Sequence, residues 1–318
     1  MLNINFLFYA NFAIFSIFAA MILTELMGSI LLLLNWKKYR GPVLEYVVPV
    51  WEITGTFGAF WVVTADFAYP PILIPVASIF SFAIMIFLIL FVARNSTISF
   101  AEFIRKRGWL DERKLYVGYA LSSIFLGLVL LVILSGIIGG NGVNLSAFRF
   151  SSLNWLYLPS GYLFIVGALL LMVGFAPVFY RVPSLTKLSL LFVAFGIIVS
   201  TLSFAMFRNW TLSPYVLVSD VIAILIPVLY NVNNVAAIVS NKIVFISLLS
   251  VDIFSLNFMV YPTAFGGVLR VDSITNTGLL ESSFIVLTVV GGIIVAALIA
   301  LYAIAVARKV KEPSSIRF

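Results

Sequence analysis

The sequence predicts an all-α integral membrane protein of about nine transmembrane helices. Composition, run length and the placement of charge each point there. Of the 318 residues, 63% are hydrophobic and 10% charged, and the mean hydropathy is +1.18. A soluble domain carries roughly 45–50% apolar and about 25% charged residues. The apolar residues form continuous runs of about 20, enough to cross a bilayer core, rather than the period-two alternation of a membrane barrel. Read as spans, these runs cover 5–35, 44–68, 72–93, 115–138, 159–180, 186–206, 214–238, 242–262 and 283–307.

Taken in order, the first run lacks a basic start and far exceeds the roughly 7–15 residues of a cleavable leader's apolar core, so it reads as a span. The loops after it alternate in charge. One side collects Lys37, Lys38 and Arg40, then Arg94, Arg105, Lys106, Arg107, Arg113 and Lys114. Arg181, Lys187, Lys242, Arg308, Lys309, Lys311 and Arg317 follow on the same side, sixteen of the 19 bases in all. The other side carries Arg149, Arg208 and Arg270, and no base is left inside a span. This bias places the amino terminus outside and the carboxyl terminus in the cytoplasm. Tyr and Trp gather near span ends, as in Trp36, Tyr69, Trp109, Trp155 and Tyr261, where interfacial rings belong.

In the long connection 94–114, Ser99 and Glu102 have capping-box spacing, so a short helix lying in the headgroup plane is expected there. Outer loops 139–158 and 263–282 are rich in Gly, Asn, Ser and Thr, and no loop is long enough to form a soluble domain. Asn144-Leu145-Ser146 and Asn209-Trp210-Thr211 have the glycosylation sequon pattern. Gly136 and Gly140 have the GxxxG spacing of close helix packing. There is no Walker, Rossmann or protease motif, no inverted repeat and no pair of broken helices, which weighs against a transporter built on discontinuous helices.

The net charge of +7 does not indicate a nucleic-acid partner, because the bases sit in loops that set orientation and face anionic headgroups of the membrane lipid. The chain has no Cys and no His. Thiolate-held metal sites are therefore ruled out, and so is the commonest haem ligand and general base. A cofactor bound by this chain alone is not expected.

Four of the 12 acids fall in span interiors: Glu25, Glu52, Asp220 and Asp252. An ionised acid at a helix centre costs on the order of 2.5–3.5 kcal/mol, and with every base assigned to a loop none has a counter-ion. Glu25 and Glu52 sit at matched depth, roughly 12–15 Å from the cytoplasmic boundary at about 1.5 Å per residue. On the second span Glu45, Glu52, Thr56, Ala59 and Asp66 share one helical face, which should meet protein or water rather than lipid. Asp220, Ala223, Pro227, Asn231 and Asn234 form a second stripe, and Asp252 with Ser255 a smaller one. Glu25 and Glu52 are read as proton-handling groups. Asp220 and Asp252 serve equally as packing groups or as supporting members. Pro49, just before Trp51 and Glu52, frees a backbone carbonyl that could hold a water beside the carboxylate.

At this stretch the chain resembles a known family. Pro49-Val50-Trp51-Glu52, then Phe67-Ala68-Tyr69-Pro70, then an apolar span ending in Arg94, is similar to the second-helix region of cytochrome bd quinol oxidase subunit II. Thr24-Glu25 with Met27-Gly28 resembles its opening helix, and Leu158-Pro159-Ser160-Gly161-Tyr162 a mid-chain helix start. Tyr261-Pro262 with Ser273-Ile274-Thr275-Asn276 resembles its carboxyl end. The chain departs from the family at Val50, where a His is frequent, and at Ile53-Thr54-Gly55, where an amide follows the acid.

The resemblance implies two four-helix bundles with one peripheral helix, in a prokaryotic cell membrane. It implies a haem-free subunit paired with a subunit I that carries haem b and haem d, in an enzyme that oxidises quinol and reduces oxygen. It puts proton delivery from the cytoplasm on Glu52, with Glu25 as partner acid and Trp51 as neighbour. A haemless relative of subunit I is a close variant. The membrane anchor of another quinone-linked respiratory complex and a proton-coupled transporter are the alternative functions.

Overall fold

In a computed structural model, residues 4–104, 111–207, 212–260, 263–267, 269–270, 283, 285–294 and 297 are described. Helices dominate. They are α1 (Ile4–Leu34), α2 (Trp36–Ala68), α3 (Pro70–Ile79), α4 (Ser81–Ser99) and α5 (Glu112–Gly139), then α6 (Ser152–Leu156), α7 (Pro159–Phe179) and α8 (Thr186–Phe207). There follow α9 (Pro214–Tyr230), α10 (Asn233–Val239), α11 (Lys242–Val260) and α12 (Ile285–Ile294). Two small antiparallel hairpins, β1 (Val143–Asn144) with β2 (Arg149–Phe150) and β3 (Thr263–Ala264) with β4 (Leu269–Arg270), complete the described elements. Among the described residues six helices are long and apolar enough to cross a membrane. The chain is a multi-pass helical membrane protein.

Over the described residues the apolar runs fall on helix, the last of them seen only at 283, 285–294 and 297, and three boundaries differ from the sequence reading. First, α2 begins at Trp36, not 44, because Asn35 ends α1 and its side chain caps the Lys38 N–H at 3.1 Å. Its 33 residues extend about 50 Å at 1.5 Å per residue. Second, the run 72–93 is two helices, α3 and α4, parted at Phe80. The backbone ladder is only perturbed there: Phe80 N–H reaches Val76 O at 3.0 Å and Ile84 N–H reaches Phe80 O at 2.8 Å. Third, the run 214–238 is α9 and α10, parted at Asn231 and Val232. Pro227 has no N–H for the Ala223 carbonyl near the end of α9, and the Asn231 side-chain amide closes the helix end by donating to Pro227 O at 2.7 Å. The expectation of unbroken helices is thus corrected at two places.

The capping box at Ser99 is also corrected. Helix α4 is already running when it reaches Ser99, and a π-type turn (Phe100–Ile104) follows. Glu102 instead accepts a hydrogen bond from the Tyr116 hydroxyl. The basic Arg105, Lys106 and Arg107, like the sequon at Asn209 and the stretch 273–276, lie outside the described residues.

Two four-helix groups form the body. In one, α1 packs on α2 and α5, and α4 on α5; in the other, α7 packs on α8, and α9 on α8 and α11. Helix α1 joins them by resting against α11 and α7. Helix α12 is peripheral, touching α2 where Gly291 lies against Phe60. The predicted close packing at Gly136 and Gly140 is present: a Cβ on Gly136 would lie 2.8 Å from the Phe80 ring, and Gly140 ends α5 at φ 72°, a conformation glycine adopts without strain.

Both loop hairpins gather at one end. Phe265 N–H bonds Ile137 O at 2.7 Å and Gly266 N–H bonds Ile138 O at 3.3 Å. The opposite end is tied by bases: Lys38 donates to Ser184 Oγ at 2.9 Å, and Lys242 donates to Phe179 O. Among the described residues, Lys38, Arg181 and Lys242 thus lie at the end opposite the hairpins that carry Arg149 and Arg270.

Candidate functional site

Glu25 points from α1 into the bundle at 1% exposure and meets Arg94 of α4 at 2% exposure. The Arg94 guanidinium ion-pairs with Glu25 Oε2. Tyr119 of α5, fully buried, donates its hydroxyl to the same oxygen at 2.8 Å. Its ring also faces the guanidinium, 5.4 Å from the centroid, within cation–π range. Arg94 makes a further hydrogen bond to Asn95 Oδ1 at 2.9 Å. Glu25 Oε1 is buried and accepts no hydrogen bond among the described residues. The carboxylate is thus pinned through one oxygen.

This overturns the expectation that Glu25 lacks a counter-ion. In the sequence Arg94 reads as a loop residue because polar Asn95, Ser96 and Thr97 follow the apolar run. Helix α4 continues through them to Ser99 and keeps Ile98 fully buried, which leaves Arg94 inside the bundle.

Beside Glu25, Thr24 gathers a second polar group that the sequence reading missed. Its hydroxyl lies 2.9 Å from the Tyr46 hydroxyl of α2, and its carbonyl accepts the Tyr180 hydroxyl at 2.8 Å. Gly28 makes room for Tyr180: a Cβ there would lie 2.5 Å from that hydroxyl oxygen. Lys242, at the start of α11, sits 4.0 Å from the Phe179 ring centroid and 4.8 Å from that of Tyr180. The Met27-Gly28 pair was the available sequence signal, a small residue one turn after an acid.

Glu52 is placed quite differently. It is exposed on the outer face of α2, together with Glu45, Thr56, Ala59 and Asp66. Among the described residues the stripe is left uncovered. Thr56 Oγ1 donates to Glu52 O at 3.0 Å, so its hydroxyl serves the backbone. Trp51, half-buried, packs against the main core, and the buried Tyr46, Val47 and Thr54 place the inner face of α2 opposite Glu52. Pro49 lies inside α2 and leaves the Glu45 carbonyl without its helical donor. Glu25 and Glu52 are not at matched depth. The Thr24–Tyr46 contact marks the level of Glu25 on α2, and Glu52 lies six residues, about 9 Å, further along at 1.5 Å per residue.

Asp220 and Asp252 come together on the second group of helices. Thr201 of α8 donates to Asp220 Oδ2 at 2.8 Å, and Ser219 of α9 donates to Asp252 Oδ1 at 2.6 Å. Both acids line a partly open cavity of about 410 Å³ that is otherwise mostly apolar, with Phe164, Phe175 and Trp61 among its walls. Ser255 donates to Asp252 O at 2.7 Å, completing the smaller stripe. Among the described residues no group of three or more His, Cys, Asp or Glu side chains converges.

No family model and no curated protein matches this chain. Among solved structures it is similar to a chain of one described as "The structure of bd oxidase from Geobacillus thermodenitrificans". The identity is 16% and the TM-score 0.63, over 96% of this chain and 98% of that one. A likeness of that extent at that identity means that the two share a fold.

Proposed function

We propose that this chain is a haem-free membrane subunit of a cytochrome bd-type quinol:oxygen oxidoreductase. It pairs with a haem-bearing subunit I through the uncovered face of α2 and helps deliver cytoplasmic protons to the shared interface. Haem b and haem d belong to the partner, and quinol is the substrate of the complex. The observation that carries this reading is the exposed carboxylate of Glu52 in mid-helix on α2. A carboxylate at that position facing hydrocarbon would be costly, so a partner or a hydrated seam must cover it. The end-to-end likeness to a bd oxidase chain and the quoted sequence resemblance select the kind of partner.

Within this reading the acids divide the work. Glu52, bare and outward, loads and releases the proton, with Trp51 as its neighbour on α2. Glu25 offers one free oxygen beside a fixed counter-ion, so it acts as an acceptor that orients the route rather than as a mobile charge. Asp220 and Asp252 support from the second group of helices. In this reading the amino terminus lies outside the cell membrane and the carboxyl terminus in the cytoplasm, which the excess of bases in alternate loops supports.

The test is purification of the chain from its native membranes with whatever accompanies it. Haem b and d absorption should appear in the complex and be absent from the chain expressed alone. Glu52→Gln should lower quinol-driven oxygen consumption by about a hundredfold, the lower end of the range for losing a positioned acid–base group, with subunit recovery unchanged. Unaltered turnover in that variant removes Glu52 from the mechanism. An iron–sulfur or molybdenum subunit in place of haem would point instead to another quinone-linked complex.

A further inference from the structure

Where α1 turns into α2, beside the first turns of α5, the surface opens into a recess of about 430 Å³. Its walls are of two kinds. Leu33, Leu34 and Val117 give an apolar flank, with Leu34 64% exposed. Lys37 and Arg113 give two cations from different helices, both exposed, and neither forms an ion pair among the described residues. Asp111 lies close by, but its carboxylate caps α5 by accepting the Arg113 backbone N–H at 3.0 Å. Trp36 borders the recess and packs on Tyr116, ring centroids 5.6 Å apart, as an indole does at the level where hydrocarbon gives way to headgroups.

We propose that this recess binds one anionic phospholipid, its phosphate between Lys37 and Arg113 and the upper part of an acyl chain along Leu33, Leu34 and Val117. Bases that only set orientation require neither a recess nor an exposed leucine flank. A phosphodiester on a glycerol backbone requires both: charge-assisted hydrogen bonds to ammonium and guanidinium, and hydrocarbon to cover apolar surface that would otherwise meet water. Basic recesses between transmembrane helices take anionic headgroups in this way. The inference rests on the α1–α2 corner alone and is independent of the oxidase reading.

The experiment is native mass spectrometry of the protein from its own membranes, with its accompanying subunits, after exposure to equal amounts of phosphatidylglycerol and phosphatidylcholine. Phosphatidylglycerol should be retained about thirtyfold better, the ratio that two interfacial bases at about 1 kcal/mol each provide. Lys37→Gln with Arg113→Gln should abolish that preference, and Lys37→Arg with Arg113→Lys should keep it. Arg40→Gln with Lys187→Gln, which removes the same charge outside the recess, should leave it unchanged. The proposal fails if wild-type protein retains both lipids equally, or if the two neutralised pairs lose the preference alike. It fails also if inorganic phosphate displaces the lipid, since the recess would then hold a free anion. The wild-type preference and the charge-keeping pair decide the matter even if the neutralised variant does not fold.

Discussion

Glu25→Gln is expected to destabilise the protein more than Arg94→Gln, although the two changes break the same contact. Removing one member of a buried ion pair costs about 3–5 kcal/mol, because the other is left charged in a medium that cannot solvate it. A stranded carboxyl escapes by binding a proton. A stranded guanidinium has no such exit, since arginine keeps its proton in proteins. Arg94 at 2% exposure has only Asn95 Oδ1 and the Tyr119 ring left once Glu25 is neutral. Thermal unfolding in detergent should rank wild type above Arg94→Gln and Arg94→Gln above Glu25→Gln. The double variant, with two amides able to bond each other, should recover part of the loss. The reverse order of the single variants would mean that water reaches Arg94. Because Glu25→Gln acts first on folding, Glu52 is the better probe of proton delivery.

Gly174→Leu is expected to break the tightest helix pair among the described residues. Helices α7 and α8 approach so closely that a Cβ on Gly174 would lie 2.8 Å from the Val193 backbone nitrogen and 3.0 Å from Ser189 O. Gly167 against Ser200 N and Gly196 against Leu171 N repeat that backbone contact, each at 2.9 Å. Backbone cannot move aside as a side-chain tip can. In membranes such close approach supplies much of the association energy, and overpacking costs about 1–3 kcal/mol or more. The Ser189 hydroxyl, which donates to Gly174 O at 2.5 Å, would be displaced as well. Loss of the monodisperse peak on size exclusion, with a lowered unfolding midpoint, is the predicted readout. Gly41→Ala is the control: nothing lies within 4 Å of a Cβ there, and alanine suits a helix interior better than glycine. If both variants behave alike, α7 and α8 are not locked by their glycines.

That the chain is a bundle of membrane-crossing helices was legible because apolar runs of bilayer length are a strong, local signal; among the described residues six helices are long and apolar enough to cross, against nine apolar runs in the sequence. Helix ends were not. Hydropathy marks contact with lipid, whereas helices continue into polar sequence: α2 through Lys37, Lys38 and Arg40, and α4 through Arg94 to Ser99. That one distinction hid the Glu25–Arg94 pair, whose members are 69 residues apart and were sorted into span and loop. Breaks at Phe80 and Asn231 escaped notice because the apolar run continues across them. The α2 stripe was readable as a face unsuited to lipid. Its direction was not, since that depends on which residues of α2 find the core. Asp220 and Asp252 were visible as single acids, and only the packing of α8, α9 and α11 brings them to one cavity.

The clasp between Phe265 and the last turn of α5 has a consequence for biogenesis. Ile137 and Ile138 receive their partners from the second hairpin, which leaves the ribosome long after α5 has entered the bilayer. During that interval the corner at Gly140 has open carbonyls and no lid from the late hairpin. A nascent chain arrested after α11 should therefore be cut by added protease near Gly140, and the full-length chain should resist.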